Sequence, residues 1–473
     1  MTKKIVYFNY TFDKKLKIRK KRGFLMELKR KSENTIREWF KNGQKKALLV
    51  KGARQVGKTH AIRRVLTAER ANFFEINLIE TPAAVDVLAA AQTVDDLVLG
   101  FSALSTQKLE KGKTIIFIDE VQKYKEMITK IKFFVEEGSF RYVLSGSLLG
   151  VELTNLDSAP VGYMTTVEMF PLDFEEFLQI TNIDENIISS LRSSFENRTP
   201  VMDAVNQKML DMFTRYLIVG GMPEAVSNFA DNSNLNDVMR IHRDIMSQYK
   251  LDFTQYETED KRLLLTNAYE LIPAELLKQN RRYIVTDLKK GLHFDRVQST
   301  FLWLKNAGVA LSVFNSTEPR IPLKLNEKSS LFKLYLADVG MLTSEYGMNT
   351  KSMLLTKNQN LNAGGIYEDA IAQELYSKGF QLYYYNSKRL GELDFVIEYN
   401  NHVMPIEVKS GKDYTIHSAM NSCLANSEYQ MQEGFVFANC NVSQKEKVTY
   451  LPIYMVMFLQ KDSEQIVLDK IEF

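Results

Sequence analysis

The chain has 473 residues, 45% of them hydrophobic and 25% charged, with a formal net charge of +3, the balance of a soluble globular protein with room for two to four domains. Its two cysteines, Cys423 and Cys440, exclude a disulfide framework or a zinc-ligand cluster and favour a reducing, cytoplasmic setting. No apolar run approaches the roughly twenty residues that span a bilayer, and the N-terminus lacks the apolar core of a signal peptide, so no membrane partner is expected.

The charge is uneven. Residues 1–31 hold twelve Lys or Arg against Asp13 and Glu27, a local balance of +10 that leaves about −7 for the rest. Residues 1–25 read as a basic, poorly ordered extension, with Met26 an alternative start; the competing reading is an arm that touches nucleic acid or an anionic surface. A short helix is expected over residues 36–40.

The apolar run Ala47-Leu48-Leu49-Val50 then enters Gly52-Ala53-Arg54-Gln55-Val56-Gly57-Lys58-Thr59, and a helical stretch over residues 60–70 leaves it. This is the G-x-x-x-x-G-K-[ST] phosphate loop in its required strand–loop–helix context. Its backbone N–H groups and the positive end of the following helix suit the phosphates of ATP. Lys58 is placed to reach the β- and γ-phosphates, and the Thr59 hydroxyl to hold Mg²⁺. About sixty residues on, Thr114-Ile115-Ile116-Phe117-Ile118 reads as a buried parallel strand ending in Asp119-Glu120. Asp119 is assigned to the metal and Glu120 to general-base activation of water.

Further strands are expected over residues 72–77, 141–144 and 161–169, with helices over 81–110 and 124–137. Alternating strands and helices imply an α/β domain built on a parallel sheet with right-handed crossovers. Ser145, at a strand end beside the loop, is a candidate γ-phosphate sensor, with a simple strand-ending turn as the other reading. Asp173 and Glu176 read as a capping box. Residues 180–256 read as helical, with 180–197 a polar surface segment, a break at Gly220-Gly221-Met222-Pro223, and His242 a surface or capped histidine. Over residues 257–325, helices at 263–272, 274–279 and 294–306 and strands at 309–314 and 320–325 suggest a winged-helix-like module. Lys278, Arg281, Arg282, Lys289 and Lys290 would face duplex DNA phosphates, or make an ordinary solvated face.

The last third carries a second chemical pattern. Glu368 lies on a helix expected over residues 367–378, Asp394 on a strand within 392–397, and Glu407 and Lys409 on a strand over 403–409. Residues two apart on a strand share a face, so Glu407 and Lys409 project together, and a hairpin can bring Asp394 beside them. Glu368, Asp394 and Glu407 form a candidate Mg²⁺ set for phosphodiester cleavage, with Lys409 stabilising charge or positioning water. A salt-bridging strand pair and a nuclease-like fold without activity remain alternatives.

The phosphate loop, Phe117-Ile118-Asp119-Glu120-Val121-Gln122 and Leu144-Ser145-Gly146-Ser147 resemble the prokaryotic AAA-type ATPases that carry a C-terminal domain of unknown function. So do Pro171-Leu172-Asp173-Phe174-Glu175-Glu176-Phe177, Gly220-Gly221-Met222-Pro223, Gly391-Glu392-Leu393-Asp394-Phe395-Val396-Ile397 and Pro405-Ile406-Glu407-Val408-Lys409-Ser410. The resemblance implies an AAA-like ATPase core at 26–180, a helical segment at 181–256 and a winged-helix-like module at 257–328. It implies a restriction-endonuclease-like domain of PD-(D/E)xK type at 329–473. Tyr163 departs from the pattern, since many members carry Arg there; if that Arg senses nucleotide in relatives, another residue must do so in this chain. The function implied is ATP binding and hydrolysis coupled to a nucleic-acid-binding or nuclease-like domain. The alternative is an ATP-driven switch whose inactive nuclease-like domain binds a partner protein. Assembly into a homo-oligomer is an expectation from fold analogy.

Overall fold

The computed structural model describes residues 28–461 apart from 105–107, 148, 150, 152–161, 182 and 257–258. The basic extension at 1–25 and the alternative start at Met26 lie outside the described residues. Among the described residues no helix is long and apolar enough to cross a membrane.

The first half is built on a five-stranded sheet. After helix α1 (Ser32–Lys41) come strand β1 (Ala47–Lys51), helix α2 (Lys58–Ala68), β2 (Phe73–Asn77), α3 (Ala83–Ala90), α4 (Val94–Leu104), β3 (Ile115–Asp119), α5 (Glu126–Glu137), β4 (Arg141–Gly146) and β5 (Met164–Glu168). The strand order is β2-β3-β4-β1-β5, and every pairing is parallel. The three inner strands β1, β3 and β4 are buried along nearly their whole length because both faces are covered, whereas the edge strands β2 and β5 are only partly buried. Leu48 and Val50 point into a core shared with the rest of the molecule, while Ala47 and Leu49 point into a second core under α3, α4 and α5.

The expected capping box is present: Asp173 accepts from the Glu176 N–H and Glu176 accepts from the Asp173 N–H at the start of α6 (Phe174–Phe177). Helices α7 (Glu185–Asn197), α8 (Asp203–Val219), α9 (Pro223–Asn232), α10 (Leu235–Tyr256) and α11 (Glu259–Leu277) form the middle. The segment expected to be a polar surface stretch is α7, and it buries Leu191 and Phe195. The Gly-Gly-Met-Pro break falls between α8 and α9, with Pro223 opening α9. Gly221 lies so close to the capping-box segment that an added Cβ would sit 2.0 Å from the Leu172 carbonyl oxygen.

Next come α12 (Val285–Leu288), α13 (Gln298–Asn306), β6 (Ala310–Ser316), β7 (Glu327–Leu336), α14 (Val339–Glu345), α15 (Gly347–Leu355), α16 (Gly364–Ser377), β8 (Tyr383–Ser387), β9 (Gly391–Tyr399) and β10 (His402–Lys409). Helix α17 (Ser418–Ala425), β11 (Gly434–Ala438), β12 (Ser443–Lys445) and β13 (Val448–Pro452) complete the described chain. The C-terminal sheet is mixed and eight-stranded, in the order β12-β13-β11-β10-β9-β8-β6-β7.

Here three helices, α11, α12 and α13, are followed by the antiparallel pair β6–β7, but the bounds depart from those expected of a winged-helix-like module. The two helices expected at 263–272 and 274–279 are one helix, α11, running through Pro273. Residues 323–326 form a turn of 3-10 helix rather than a second wing strand. The first wing strand is β6, which pairs antiparallel with β7 and parallel with β8 inside the large sheet. It is buried along most of its length, so it needs cover on both faces and a free wing could not supply it. The expected boundary between residues 328 and 329 falls within β7.

A single apolar core runs from the inner face of the first sheet, through α8 to α11, to the inner face of the second. His242, expected at the surface or a cap, is buried in this middle layer, with its Nδ1 2.8 Å from the Ser344 hydroxyl. Burial, reinforced by Lys351, pushes its pKa down to about 3, so it stays neutral.

Candidate functional site

The phosphate loop connects the buried end of β1 to the first turn of α2. Gly57 precedes that helix in the left-handed region, at φ 92°, a conformation that costs glycine little. Gly52 has no room for a side chain, because an added Cβ would lie 2.2 Å from the Met169 carbonyl oxygen. Lys58 folds back over the loop and donates to the carbonyls of Gly52 (3.0 Å) and Ala53 (2.7 Å). Ala53 and Val56 are buried beneath it. Burial pushes the Lys58 ammonium down to about 8, against the opposing pull of Glu120 and Asp119.

Asp119 stands at the tip of β3 and is buried. It accepts from the Thr59 hydroxyl at 2.9 Å, from the Asn77 amide at 3.1 Å and from the Ser145 hydroxyl. Thr59 and Asp119 thus share one corner with oxygen donors, the ligand type that a hard cation such as Mg²⁺ takes. Glu120 follows in the left-handed region, at φ 57°, and accepts a hydrogen bond from the Gln122 amide. A cavity of about 370 Å³ opens over Lys58, Thr59 and Glu120.

Ser145 does not reach this cavity. It is buried and committed to Asp119, and the serine on the cavity wall is Ser147, two residues further on. Ser147 in turn contacts Gln122 at 3.2 Å. Tyr163 lies at the other end of the sheet, where its carbonyl accepts from the Ala47 N–H at the start of β1. It does not line this cavity.

Three contributors carry no local sequence signal. Arg30 is buried, and its guanidinium donates to the carbonyls of Val56 and Phe170 and pairs with Glu176 at 3.2 Å. It ties the phosphate loop to the capping-box segment, but in the sequence it hides inside the basic run. Asp252 of α10 forms an ion pair of 2.5 Å with Arg54. Gln248, one turn earlier, accepts from the Gln55 amide at 2.7 Å and lines the same cavity.

The C-terminal carboxylates also converge. Between β8 and β9 the register shifts, so that Tyr383 faces Val396 while Tyr385 faces Leu393. The extra residue in β9 re-aims Asp394, which accepts from the Val408 N–H at 2.8 Å. Lys409 Nζ lies 2.7 Å from Glu407 Oε1, while Glu407 Oε2 is buried with no hydrogen-bond partner among the described residues.

Glu368, expected as a metal ligand, is differently placed. It is buried, forms an ion pair with Arg281, lies 3.5 Å from Lys333 Nζ and accepts from the Tyr335 hydroxyl at 2.7 Å. Burial opposes its charge, yet Lys333 and Arg281 overcome it and hold the carboxyl below the ordinary range. Burial together with Glu368 and Glu407 pushes Asp394 well above that range. Among the described residues no group of three or more His, Cys, Asp or Glu side chains is arranged to hold a metal ion. The expected set of Glu368, Asp394 and Glu407 is therefore not a ready ligand set, because internal cations already neutralise Glu368. The oxygen chemistry of Asp394 and Glu407 still suits a hard cation, and the unpartnered Glu407 oxygen is the atom that lacks one.

The basic cluster expected to face DNA is partly spent inside the protein. Arg281 is taken by Glu368, and Lys278 bonds Glu275 at 2.6 Å and Asp287.

Comparison with known proteins assigns parts of this chain. Residues 44–178 match the family described as AAA domain. Residues 210–352 and 363–456 match two domains of unknown function, DUF8612 and DUF4143. No curated protein matches the chain. Among solved structures, a Walker-type ATPase of Pyrococcus abyssi is 14% identical, with 68% of this chain and 96% of that one covered, at a TM-score of 0.41. The RuvB Holliday junction branch migration motor of Thermotoga maritima is 15% identical, with 63% and 87% covered, at 0.27. An Hsp104–ADP complex of S. cerevisiae is 16% identical, with 62% and 40% covered, at 0.28. With its phosphate loop, parallel sheet and strand-tip Asp119, the segment 44–178 is an AAA-type P-loop ATPase domain.

Proposed function

We propose that this chain binds and hydrolyses Mg²⁺–ATP at the phosphate loop and couples the nucleotide state to the C-terminal sheet. One observation carries the reading: Lys58, Thr59 and Glu120 line one open cavity together with Gln248, a residue of the helical middle. In this reading Lys58 leaves the Gly52 and Ala53 carbonyls and donates to the phosphate tail, while Thr59 and Asp119 would hold Mg²⁺. Mg²⁺ held there would supply positive charge against the negative charge of the phosphates. Glu120 takes a proton from the attacking water, and Gln122 holds its carboxylate in place.

The same reading gives the C-terminal sheet a nuclease-like or nucleic-acid-binding role through Asp394, Glu407 and Lys409, with DNA as the partner. The second reading is a partner-protein platform without cleavage. It is favoured by the neutralisation of Glu368 and the internal use of Arg281 and Lys278. Hydrolysis of ATP by the purified chain, with and without duplex DNA, tests both. Stimulation by DNA together with Mg²⁺- or Mn²⁺-dependent cleavage supports the nuclease reading, and Asp394→Ala should then remove the cleavage. Hydrolysis indifferent to DNA, without cleavage, supports the partner-protein switch. Absence of hydrolysis in every condition contradicts the ATPase assignment.

A further inference from the structure

The phosphate loop is gripped from outside its own domain. Gln248, Tyr249 and Asp252 stand at positions i, i+1 and i+4 of α10 and meet the third and fourth residues after Gly52 is counted as the first, Arg54 and Gln55. Asp252 pairs with Arg54 at 2.5 Å, the Tyr249 hydroxyl donates to the Arg54 carbonyl at 3.2 Å, and Gln248 accepts from Gln55 at 2.7 Å. Gln55 is held in the left-handed region, at φ 63°, which a non-glycine residue adopts only where its surroundings hold it there. Asp252 is only 3% exposed, so its charge depends on Arg54 for compensation. Arg54 and Gln248 both line the cavity over Lys58 and Thr59.

The other half of α10 is anchored differently. Ten residues before Asp252, His242 meets Ser344 of α14. The α14 N-cap Asp338 accepts from the N–H of Gly221 at 2.6 Å and of Met341 at 3.0 Å. Val339, the first residue of α14, donates to Gln373 of α16 at 3.0 Å, and α16 is the helix that bears Glu368. One rigid element thus touches the nucleotide cavity at one end and the scaffold of the C-terminal cluster at the other.

Resting on the ATP-binding reading, we propose that α10 is the nucleotide sensor of this chain: the γ-phosphate of ATP draws Arg54 away from Asp252 and accepts from the Gln248 amide, whereas ADP leaves both contacts in place. A triphosphate offers Arg54 more negative charge than one carboxylate does, and the diphosphate lacks the group that would lie nearest α10. Releasing Arg54 leaves Asp252 buried without its partner, and α10 shifts to relieve it. The α10 residues lie nearly two hundred positions from the loop they read, and Tyr163 is not among the residues that line the cavity.

The test uses the full chain and fluorescent ATP and ADP analogues. Gln248→Ala, and separately the double change Arg54→Ala with Asp252→Asn, should weaken ATP about tenfold and change ADP less than twofold, because only the γ-phosphate uses these groups. The double change avoids leaving Asp252 buried and unpaired. A second readout is built in, since Trp303 packs edge-on against Phe253 of α10 at 5.1 Å. ATP, but not ADP, should change the Trp303 emission, and Trp303→Phe identifies that signal against Trp39. Equal loss of ATP and ADP affinity would show a structural tether and overturn the proposal. So would unchanged affinities with no Trp303 response. Failure of the wild type to bind either nucleotide would instead overturn the ATP-binding reading itself.

Discussion

The two polar constellations of this molecule are wired in opposite ways. At the phosphate loop the groups turn outward: among the described residues Lys58 is held only by loop carbonyls, Glu120 by one glutamine, and a cavity of about 370 Å³ opens in front of them. In the C-terminal sheet the groups turn toward one another: Glu368 is enclosed by Arg281, Lys333 and Tyr335, and Glu407 by Lys409. The first arrangement is poised for a ligand because its hydrogen bonds are cheap to exchange. The second has already neutralised most of its charge, so a ligand there must displace a partner before it gains anything. Similar residue types in two places thus carry different expectations.

Four measurements break or sharpen that contrast. The largest effect is expected for Glu120→Gln, which keeps the shape of the outward-facing site and removes its base. ATP turnover should fall by about 10²–10⁴ while ATP binding persists; turnover within a few-fold of wild type would remove Glu120 from the chemistry. Next is Arg281→Ala, which leaves Glu368 buried with Lys333 and Tyr335 alone. Urea unfolding should show a loss of about 3 kcal/mol, and no loss would mean that the inward-facing cluster is not held by its own ion pairs.

A smaller effect comes from pH. Lys58 is held down to about 8 by burial, against Glu120 and Asp119, and phosphate binds its charged form. ATP affinity should be full below about pH 8 and fall as pH rises through that value, by up to about tenfold per unit. Affinity flat from pH 7 to 9.5 would show that Lys58 stays charged, or that it does not meet the phosphates. The smallest effect is expected for Lys409→Ala. Its side chain is 28% exposed beside Glu407, so unfolding stability should change by no more than about 1 kcal/mol. Any Mg²⁺- or Mn²⁺-dependent cleavage should nevertheless disappear, which separates a chemical role from a structural one.

The outward-facing site was the more legible of the two in the sequence, for a physical reason. A phosphate loop draws its ligands from eight consecutive residues, and its metal-side carboxylate from the end of one apolar strand. Local spacing therefore names Lys58, Thr59, Asp119 and Glu120. The inward-facing cluster was half legible. Asp394, Glu407 and Lys409 follow from strand period and hairpin geometry. Lys333 and Arg281 do not, because a charged residue in a strand or loop reads as solvated unless its distant partner is known.

The winged-helix-like reading misplaces its element bounds for the same reason. β6 does pair with the next strand, β7, but that strand lies later than the spacing suggests, and β6 also pairs with the distant β8. Pro273 separates two expected helices, yet α11 runs through it, with the Tyr346 hydroxyl donating to its carbonyl at 2.8 Å. The contacts of Gln248 and Asp252 with the loop span nearly two hundred residues, a distance at which periodicity carries no information.

The central claim is that the loop at 52–59 binds Mg²⁺–ATP through Lys58. It is tested most directly by calorimetric titration of ATP, with Mg²⁺, into the wild-type chain and into Lys58→Ala. The account predicts saturable one-site binding by the wild type and a loss of at least about a hundredfold in a variant whose thermal unfolding is unchanged. Equal binding by a folded Lys58→Ala chain, or no binding by the wild type, would contradict it.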